Sequence, residues 1–254
     1  MSDVWRRWPG GERMAESIDA VRDFWEAEAC GERYGSEHEN VRYQLEPHIS
    51  EFADFAAGSG KRVLEIGVGM GADFVRWAQA GAQVTGIDLT ERAASLARRR
   101  LAQRGLPGEV RVGDAETLPF DEASFDVVYS WGVLHHTPHP DKALAEALRV
   151  LAPGGRLKVM LYHRHSWVAL AAWMRFGFLR ARPTLSLRGA VAHIESPGTQ
   201  AFTPGEVRTL VRPGLARLDI QTVLTHWDRR CAPGIARVLG DRFGWFMLVD
   251  GVRT

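Results

Sequence analysis

Cysteine is scarce in this chain: only Cys30 and Cys231 occur among 254 residues, and they lie far apart. Two distant cysteines exclude a disulfide framework, which needs several paired residues, and they equally exclude a cysteine-rich metal site. This low cysteine content is typical of a protein whose cysteines remain reduced. We therefore expect a cytoplasmic protein.

Long apolar runs and an excess of charge of one sign are also missing. No uninterrupted apolar stretch reaches the about 18 residues that can cross a bilayer, and the opening residues MSDVWRRWPGGERMAE have no apolar core after their charges. The formal net charge is +1, so no global field attracts a polyanion. These absences argue against a secretory signal, stable membrane insertion and a nucleic-acid partner.

What the chain does contain is an alternation of short β-branched runs with helical patterns. Strands are predicted at 62–66, 83–88, 110–112, 125–130 and 156–162, and helices between them at 72–80, 91–104 and 141–151. This βαβα order predicts a mostly parallel sheet covered by helices. Thr90 is the predicted N-cap of the second helix, and Thr203 with Glu206 forms a capping-box pattern around Pro204.

The chain divides into four predicted regions. Residues 1–60 form N-terminal helices and a lid, 61–162 the ligand-binding core, 163–213 a cap or substrate insert, and 214–254 the last two strands of the core sheet. The insert begins with the apolar, tryptophan-rich stretch SWVALAAWMRFGFLRAR at 166–182.

The stretch VLEIGVGMGADF (63–74) is a glycine turn between the first predicted strand and helix. Gly67, Gly69 and Ala72 satisfy the dinucleotide fingerprint, and Asp88 lies 21 residues after Gly67, where a ribose-binding acid belongs. A nicotinamide cofactor fits this spacing. Glu65 argues against it, because a carboxylate two residues before the first glycine would repel a pyrophosphate.

A further acid, Asp114, ends the third predicted strand. It could accept a hydrogen bond from an adenine amino group while Asp88 accepts from two ribose hydroxyls. Glu65 would then face an ammonium and a sulfonium. Three acids at three consecutive strand ends therefore indicate an adenosine joined to a cationic amino acid, which is S-adenosyl-L-methionine.

The sequence resembles the class I S-adenosylmethionine-dependent methyltransferases. The matching stretches are VLEIGVGMG (63–71), VTGIDLT (84–90), GDAETLPFDEASFDVVYSWGVLHH (113–136) and RVLAPGGRLKVM (149–160). Their LPF, SFD and LHH segments are most similar to the small-molecule branch that includes the ubiquinone and menaquinone C-methyltransferases. The resemblance implies an α/β fold, a Rossmann-like doubly wound sheet of seven strands, mostly parallel with an antiparallel last strand, plus a helical cap.

The resemblance also implies the cofactor, S-adenosyl-L-methionine, and the residues that hold it. By their positions in the matching stretches, the residues expected to line the methionine part are Glu65, Gly67, Gly69 and Gly71. Those expected for the ribose are Asp88 and Leu89, for the adenine Asp114 and Ala115, and for the floor of the reacting centre Ser130 and Trp131. Tyr34, in a glycine-flanked loop, is the candidate for closing over the methionine end.

Two histidine-bearing segments follow predicted strands and could supply a proton acceptor. His136 is the first catalytic candidate and His163 the second, with Tyr162 and His165 as positioning groups. The family does not prescribe a base here, and many of its members work by proximity and desolvation alone. The cluster HHTPH lacks a companion carboxylate pattern, so no metal is expected.

The methyl acceptor is predicted to be a small, partly apolar metabolite, methylated on O, N or C. The cap segment offers apolar surface through Trp167, Trp173, Phe176 and Phe178, although aromatic residues at helical spacing more often form core. Two alternatives stay open: a catalytically silent scaffold that binds the cofactor, and a nicotinamide-dependent oxidoreductase. Oligomeric state is not specified by any of these features.

Overall fold

The computed structural model describes residues 17–27, 29, 32, 38–196 and 198–254. Its centre is one sheet with the strand order β3-β2-β1-β4-β5-β8-β7. The strands are β1 (Arg62–Ile66), β2 (Gln83–Asp88), β3 (Glu109–Val112), β4 (Phe125–Trp131), β5 (Leu151–His163), β6 (Ala201–Phe202), β7 (Leu215–Val223) and β8 (Phe246–Arg253). The two-residue β6 pairs with the end of β5, off the seven-strand path.

Strand direction confirms the predicted fold class. β1 to β5 pair in parallel, whereas β8 runs antiparallel to both of its neighbours, β5 and β7. The chain winds outward from β1 to β3 and then returns to add β4 beside β1. This reversal opens a crevice at the carboxyl ends of β1 and β4, where open α/β sheets bind ligands.

Helices cover both faces of the sheet. They are α1 (Ile18–Ala27), α2 (His38–Leu45), α3 (His48–Ala53), α4 (Ala72–Gln79), α5 (Glu91–Gln103), α6 (Pro140–Val150), α7 (Trp167–Phe176), α8 (Leu187–Val191), α9 (Pro204–Val211), α10 (His226–Cys231) and α11 (Ile235–Leu239). Two predicted caps are confirmed: the Thr90 side chain accepts from the Ala93 amide, and Thr203 and Glu206 form a reciprocal capping box.

Strand alternation divides the buried apolar side chains between two cores, one on each face of the sheet. Val63 and Tyr129 pack on one face with Trp77 of α4, whereas Leu64 and Val128 pack on the other. Trp131, at the end of β4, and Met160 of β5 pack on the same face of the sheet as Trp77. Residues two apart therefore share a face, and this decides which strand-end side chains can meet.

The region predicted as a cap at 163–213 packs in part against the sheet. Val207 and Val211 of α9 are fully buried in the second core, together with Met247 of β8, so α9 belongs to the helical layer of the sheet. Burial of these apolar side chains against the sheet is favourable, and this explains why α9 packs as part of the core. α7 and α8 also reach the core, since Val168, Ala169 and Val191 are buried in the first of the two cores.

Gly71 and Gly60 make a matched pair for testing the packing of α4 against α5. Both have positive φ, but a Cβ on Gly71 would lie 3.0 Å from Ala97, whereas one on Gly60 would meet nothing within 4 Å. We expect Gly60→Ala to lower the free energy of unfolding by about 1 kcal/mol through backbone strain alone. Gly71→Ala should cost about 3 kcal/mol, because overpacking adds to that strain. Urea unfolding measures both, and equal losses would contradict the close packing.

Candidate active site

A cavity of about 300 Å³ lies at the carboxyl edge of the sheet. It extends along the strand order, from the residues after β3 past the ends of β2, β1, β4 and β5 to the start of β8, and α1 covers one side through Ile18, Val21 and Trp25. Its size and its location at the reversal of strand order are those of a small-molecule site.

The glycine turn brings backbone close to this cavity. Gly67 and Gly69 line it and adopt φ values of +80° and +49°, which glycine reaches without a Cβ clash. A Cβ on Gly67 would lie 2.2 Å from Val133, while the corresponding position on Gly69 is open. Gly71, predicted to line the methionine part of the cofactor, is not in the cavity lining, and a Cβ there would lie 3.0 Å from Ala97.

Asp88 and Leu89, after β2, both line the cavity. One oxygen of Asp88 accepts from the Gly69 amide at 3.0 Å, and the other accepts from the amide and hydroxyl of Thr90. Burial raises the pKa of Asp88, and these hydrogen bonds oppose the rise. The carboxyl thus holds the glycine turn against β2 while keeping acceptor capacity for a ligand, since a carboxylate offers about four lone pairs.

Asp114 and Ala115 line the same cavity beyond β3. One oxygen of Asp114 accepts from the Glu116 amide at 2.8 Å, which shapes the turn that follows the strand. Because β3 and β2 are neighbours in the sheet, the residues predicted to bind adenine lie next to those predicted to bind the ribose.

Glu65 is the most unusual acid of the site. It is 4% exposed, and its Oε2 atom has no hydrogen-bond partner among the described residues. Burial raises the pKa of Glu65 well above its usual range, and the neighbouring carboxyls of Asp73 and Asp88 add to the rise, while Arg42 opposes it. Glu65 lines the cavity, and a buried carboxyl with an unpartnered oxygen is suited to a ligand that donates hydrogen bonds or carries positive charge.

Asp73, in the first turn of α4, was not among the predicted site residues, yet it lines the cavity and is 2% exposed. It forms a two-pronged ion pair with Arg42 of α2, at 2.7 and 3.2 Å, and accepts from the hydroxyls of Tyr43 and Tyr129. Burial alone would raise the pKa of Asp73, but Arg42 and the two hydroxyls together hold it below its usual value. The only feature of the sequence that could have indicated Asp73 was its position, as an acid just after the glycine turn.

The end of β4 provides one of its two predicted residues. Trp131 lines the cavity, and its indole donates to Glu46 at 2.8 Å. Ser130, also predicted to line the reacting centre, instead points to the other face and donates to the Ile66 carbonyl at 3.0 Å. Successive strand residues face opposite ways, and Ser130 takes the face opposite to Trp131.

His136 lines the cavity, as its place after β4 suggested. Its Nδ1 lies 2.7 Å from the Thr199 hydroxyl and 2.9 Å from that of Ser196. Thr199 donates its own proton to the Ser196 carbonyl, and the two hydroxyls together hold the Nδ1 edge of the ring. Burial lowers the pKa of His136 to about 4, so the ring is neutral at pH 7.

His163 was predicted as a second catalytic residue, but it does not line the cavity. Its Nδ1 lies 3.1 Å from the Gly244 carbonyl, and burial lowers its pKa. The preceding residue, Tyr162, faces the cavity, so strand alternation turns His163 away. His165, proposed as a positioning group, lies beside His163, with ring centroids 6.0 Å apart, and also outside the cavity lining.

The aromatic lining comes from elements other than the tryptophan-rich segment. Four aromatic side chains line the cavity: Trp25, Trp131, Tyr162 and Phe246. The four named from the cap segment do not line it. For example, the Trp173 indole donates to the Leu185 carbonyl, and Phe176 packs against Ala172 and Ala190.

The cap contributes a charged residue instead. Glu195, between α8 and β6, lines the cavity beside Tyr162 and was not predicted as a site residue. No local pattern marks it, because only the tertiary fold brings this turn to the end of β5. Tyr34, predicted to contact the methionine end, lies outside the described residues.

Neither a metal cluster nor a membrane span is found in the described part of the chain. No three His, Cys, Asp or Glu side chains there are grouped so that they could hold a metal ion. Within the same residues, every helix is too short or too polar to cross a membrane.

Comparison with known proteins identifies the core of this fold. Residues 64–159 match a protein-family model described as "Methyltransferase domain". The chain is 46% identical over 101 residues to the phthiotriol/phenolphthiotriol dimycocerosates methyltransferase of Mycobacterium leprae, a match that covers 39% of this chain and 37% of that protein. It is 37% identical over 117 residues to the ubiquinone biosynthesis O-methyltransferase of Aromatoleum aromaticum, covering 45% and 50%.

A solved structure shows that the likeness of fold extends further. A chain from the Haloferax volcanii complex between the Trm112 methyltransferase activator and a methyltransferase superposes with a TM-score of 0.61 at 20% identity. The superposition covers 89% of this chain and 96% of that one. The sequence relatives thus share the central part, and the fold neighbour shares most of the architecture.

The Asp73 ion pair predicts an unequal response to two arginine substitutions. Arg42→Met leaves Asp73 buried without its cation and should lower the free energy of unfolding by about 3 kcal/mol. Arg62→Met removes an ion pair with Asp126 whose side chains are 46% and 36% exposed, and it should cost at most about 1 kcal/mol. Urea unfolding at pH 7 tests the difference.

The pH dependence of these variants gives a second check. With Arg42 present, the pKa of Asp73 is depressed, so its stabilising contribution is present above about pH 4 and is lost as pH falls through the folded pKa. In Arg42→Met, burial should raise that pKa, so the deficit at pH 7 should shrink as pH falls toward about 5. A constant deficit would show that Asp73 is not the group left uncompensated.

Proposed function

Because residues 64–159 match a methyltransferase domain, we propose that this chain transfers the methyl group of S-adenosyl-L-methionine to O, N or C of a small, partly apolar metabolite. The observation that carries the proposal is Glu65, a buried carboxyl with an unpartnered oxygen, in the lining of the cavity that Asp88 and Asp114 also line. Three carboxyls and a glycine turn around one cavity match a ligand with an ammonium, a ribose and an adenine.

In this proposal each part of the cofactor has its own residues. Glu65 accepts from the ammonium, and Gly67 and Gly69 let the methionine part approach the backbone. Asp88 accepts from the ribose hydroxyls, with Leu89 against the sugar. Asp114 accepts from the adenine amino group, and Ala115 packs against the base. A pyrophosphate would instead place negative charge beside Glu65, which disfavours a nicotinamide cofactor.

The strand order supports a position for the acceptor at the aromatic end of the cavity. Adenine, ribose and methionine residues follow β3, β2 and β1, so the methyl group points toward the ends of β4, β5 and β8. Neighbouring strands are about 4.8 Å apart, which places the end of β5 about 10 Å from β1. The aromatic residues Trp25, Trp131, Tyr162 and Phe246 line this end. The names of the two relatives, one a phthiotriol methyltransferase and the other an O-methyltransferase of ubiquinone biosynthesis, support a partly apolar acceptor.

When bound, the cofactor supplies a methyl group on a positively charged sulfur, so the leaving thioether needs no acid. The protein must align the acceptor and exclude water. We propose that α1, through Val21 and Trp25, covers the cavity, and that His136 Nε2 accepts a hydrogen bond from the acceptor and orients it. His136 keeps its place as the sequence-derived catalytic candidate, whereas His163 lies outside the cavity.

Cofactor binding is the first test. We expect micromolar binding of S-adenosylmethionine and S-adenosylhomocysteine by calorimetry and none of NAD. Asp88→Ala and Asp114→Asn should each weaken binding about 10- to 100-fold, since a hydrogen bond to a charged group contributes about 1.5–3 kcal/mol. Glu122→Gln, an exposed acid paired with Arg253, serves as the control. NAD binding without either sulfur ligand would overturn the proposal.

Turnover separates an enzyme from a silent scaffold. We expect S-adenosylhomocysteine to form with at least one member of a panel of catechols, long-chain alcohols, aryl amines and quinols. His136→Ala should lower kcat about tenfold or more by loss of orientation, while His163→Ala, matched in residue type but outside the cavity, should change it little. Tight cofactor binding with no product from any acceptor would favour the scaffold, and full turnover by His136→Ala would remove that residue's role.

A further inference from the structure

Glu195 brings a carboxyl to the acceptor end of the cavity. It lies in the turn between α8 and β6, beyond the matched domain of residues 64–159, and is half-buried. Its Oε2 atom accepts from the Tyr162 hydroxyl at 3.5 Å. Tyr162 stands at the end of β5, two strands from the glycine turn, so the carboxyl faces the region assigned to the acceptor rather than to the cofactor.

Tyr162 is itself held firmly. Its ring stacks on Trp245 with centroids 4.2 Å apart and an interplanar angle of 24°, and the His136 ring meets it edge-on at 5.7 Å. Rings packed in this way have little rotational freedom. The hydroxyl is therefore held 3.5 Å from one Glu195 oxygen, and the other carboxyl oxygen remains for a ligand.

No cation neutralises this carboxyl within the described residues. Burial raises the pKa of Glu195 to about 8, and the only opposing contribution is the hydrogen bond from Tyr162. The other titratable groups that line the cavity are Arg42, Glu46, Glu65, Asp73, Asp88, Asp114 and His136. His193, in the same turn, directs Nδ1 to the Gly189 carbonyl at 3.0 Å.

The two candidate proton acceptors differ in strength. Burial lowers the pKa of His136 to about 4, whereas that of Glu195 is about 8. A proton shared between them would prefer Glu195 by ~10⁴, because each pKa unit is a factor of ten. A group with a pKa near the working pH is also the better general base. His136 can therefore orient an acceptor hydroxyl, whereas Glu195 can also accept and hold the proton that this hydroxyl loses.

We propose that Glu195 is the general base that accepts the proton of a hydroxyl-bearing acceptor, a phenol or an alcohol, and that Tyr162 is its positioning residue. This inference rests on the proposed methyl transfer and specifies its substrate class. In the step, the acceptor oxygen bonds to the methyl carbon, the carbon–sulfur bond breaks with its electron pair on sulfur, and the hydroxyl proton passes to the Glu195 carboxylate. Solvent then removes that proton.

A titration that needs neither cofactor nor acceptor tests the base directly. In protein labelled with ¹³C at the glutamate side-chain carboxyl, NMR should show one resonance with a midpoint near pH 8 that is absent in Glu195→Gln. Tyr162→Phe should move this midpoint upward, since the lost hydrogen bond favoured the charged form. A Glu195 midpoint at the ordinary glutamate value, or one unmoved by Tyr162→Phe, would overturn the proposal.

Kinetics with the hydroxyl acceptors of the panel provide the second arm. Wild-type kcat should rise with pH to a plateau above about 8, and Glu195→Gln should lose that rise and about 100-fold in kcat, with cofactor affinity unchanged. Tyr162→Phe should shift the rise to higher pH. Undiminished turnover by Glu195→Gln, or turnover confined to amine or carbon acceptors, would refute this role. If the proposed function itself were wrong, the wild-type protein would not bind the cofactor. That result is distinct from a failure of the Glu195 role alone.

Discussion

The buried carboxylate of Asp73 is the constraint on which the rest of the site depends. It joins three elements that are distant in sequence: α2 through Arg42 and Tyr43, the start of α4, and β4 through Tyr129. A carboxylate that is 2% exposed is tolerated only because a guanidinium and two hydroxyls compensate for its lost hydration. The same contacts place α2 above the cavity, where Glu46 receives the Trp131 indole.

This network also determines the electrostatics around Glu65. The Asp73 charge disfavours ionisation of Glu65 and the Arg42 charge favours it, while burial dominates both. One acid of the site is therefore satisfied within the protein and the other is left for a ligand. That division of roles explains why two carboxyls can share a small buried volume, since only one of them must be charged before a cationic group binds.

The cavity is organised by strand order. The acids Glu65, Asp88 and Asp114 lie near β1, β2 and β3, whereas the aromatic residues Trp131, Tyr162 and Phe246 lie at β4, β5 and β8, with Glu195 as an added carboxyl. The reversal of strand order after β3 creates both halves, because it places β4 and β5 on the side of β1 opposite β2. The polar half comes largely from the matched domain, and the aromatic half draws on α1, β8 and the turn after α8, which lie outside it.

Local patterns predicted the central strands, the caps at Thr90 and Thr203, and the order in which Glu65, Asp88 and Asp114 lie along one cavity. These features depend on neighbours a few residues apart, so periodicity and turn chemistry determine them. Ser130, Gly71 and His163 were misplaced because the face of a strand end, or the helix that packs against a glycine, depends on register and packing. Asp73, Arg42 and Glu195 were missed because their partners are distant in sequence. The sequence by itself determined the sheet and its acidic edge; only the tertiary structure decided which side chains share the cavity, since that requires contacts between elements far apart in the chain.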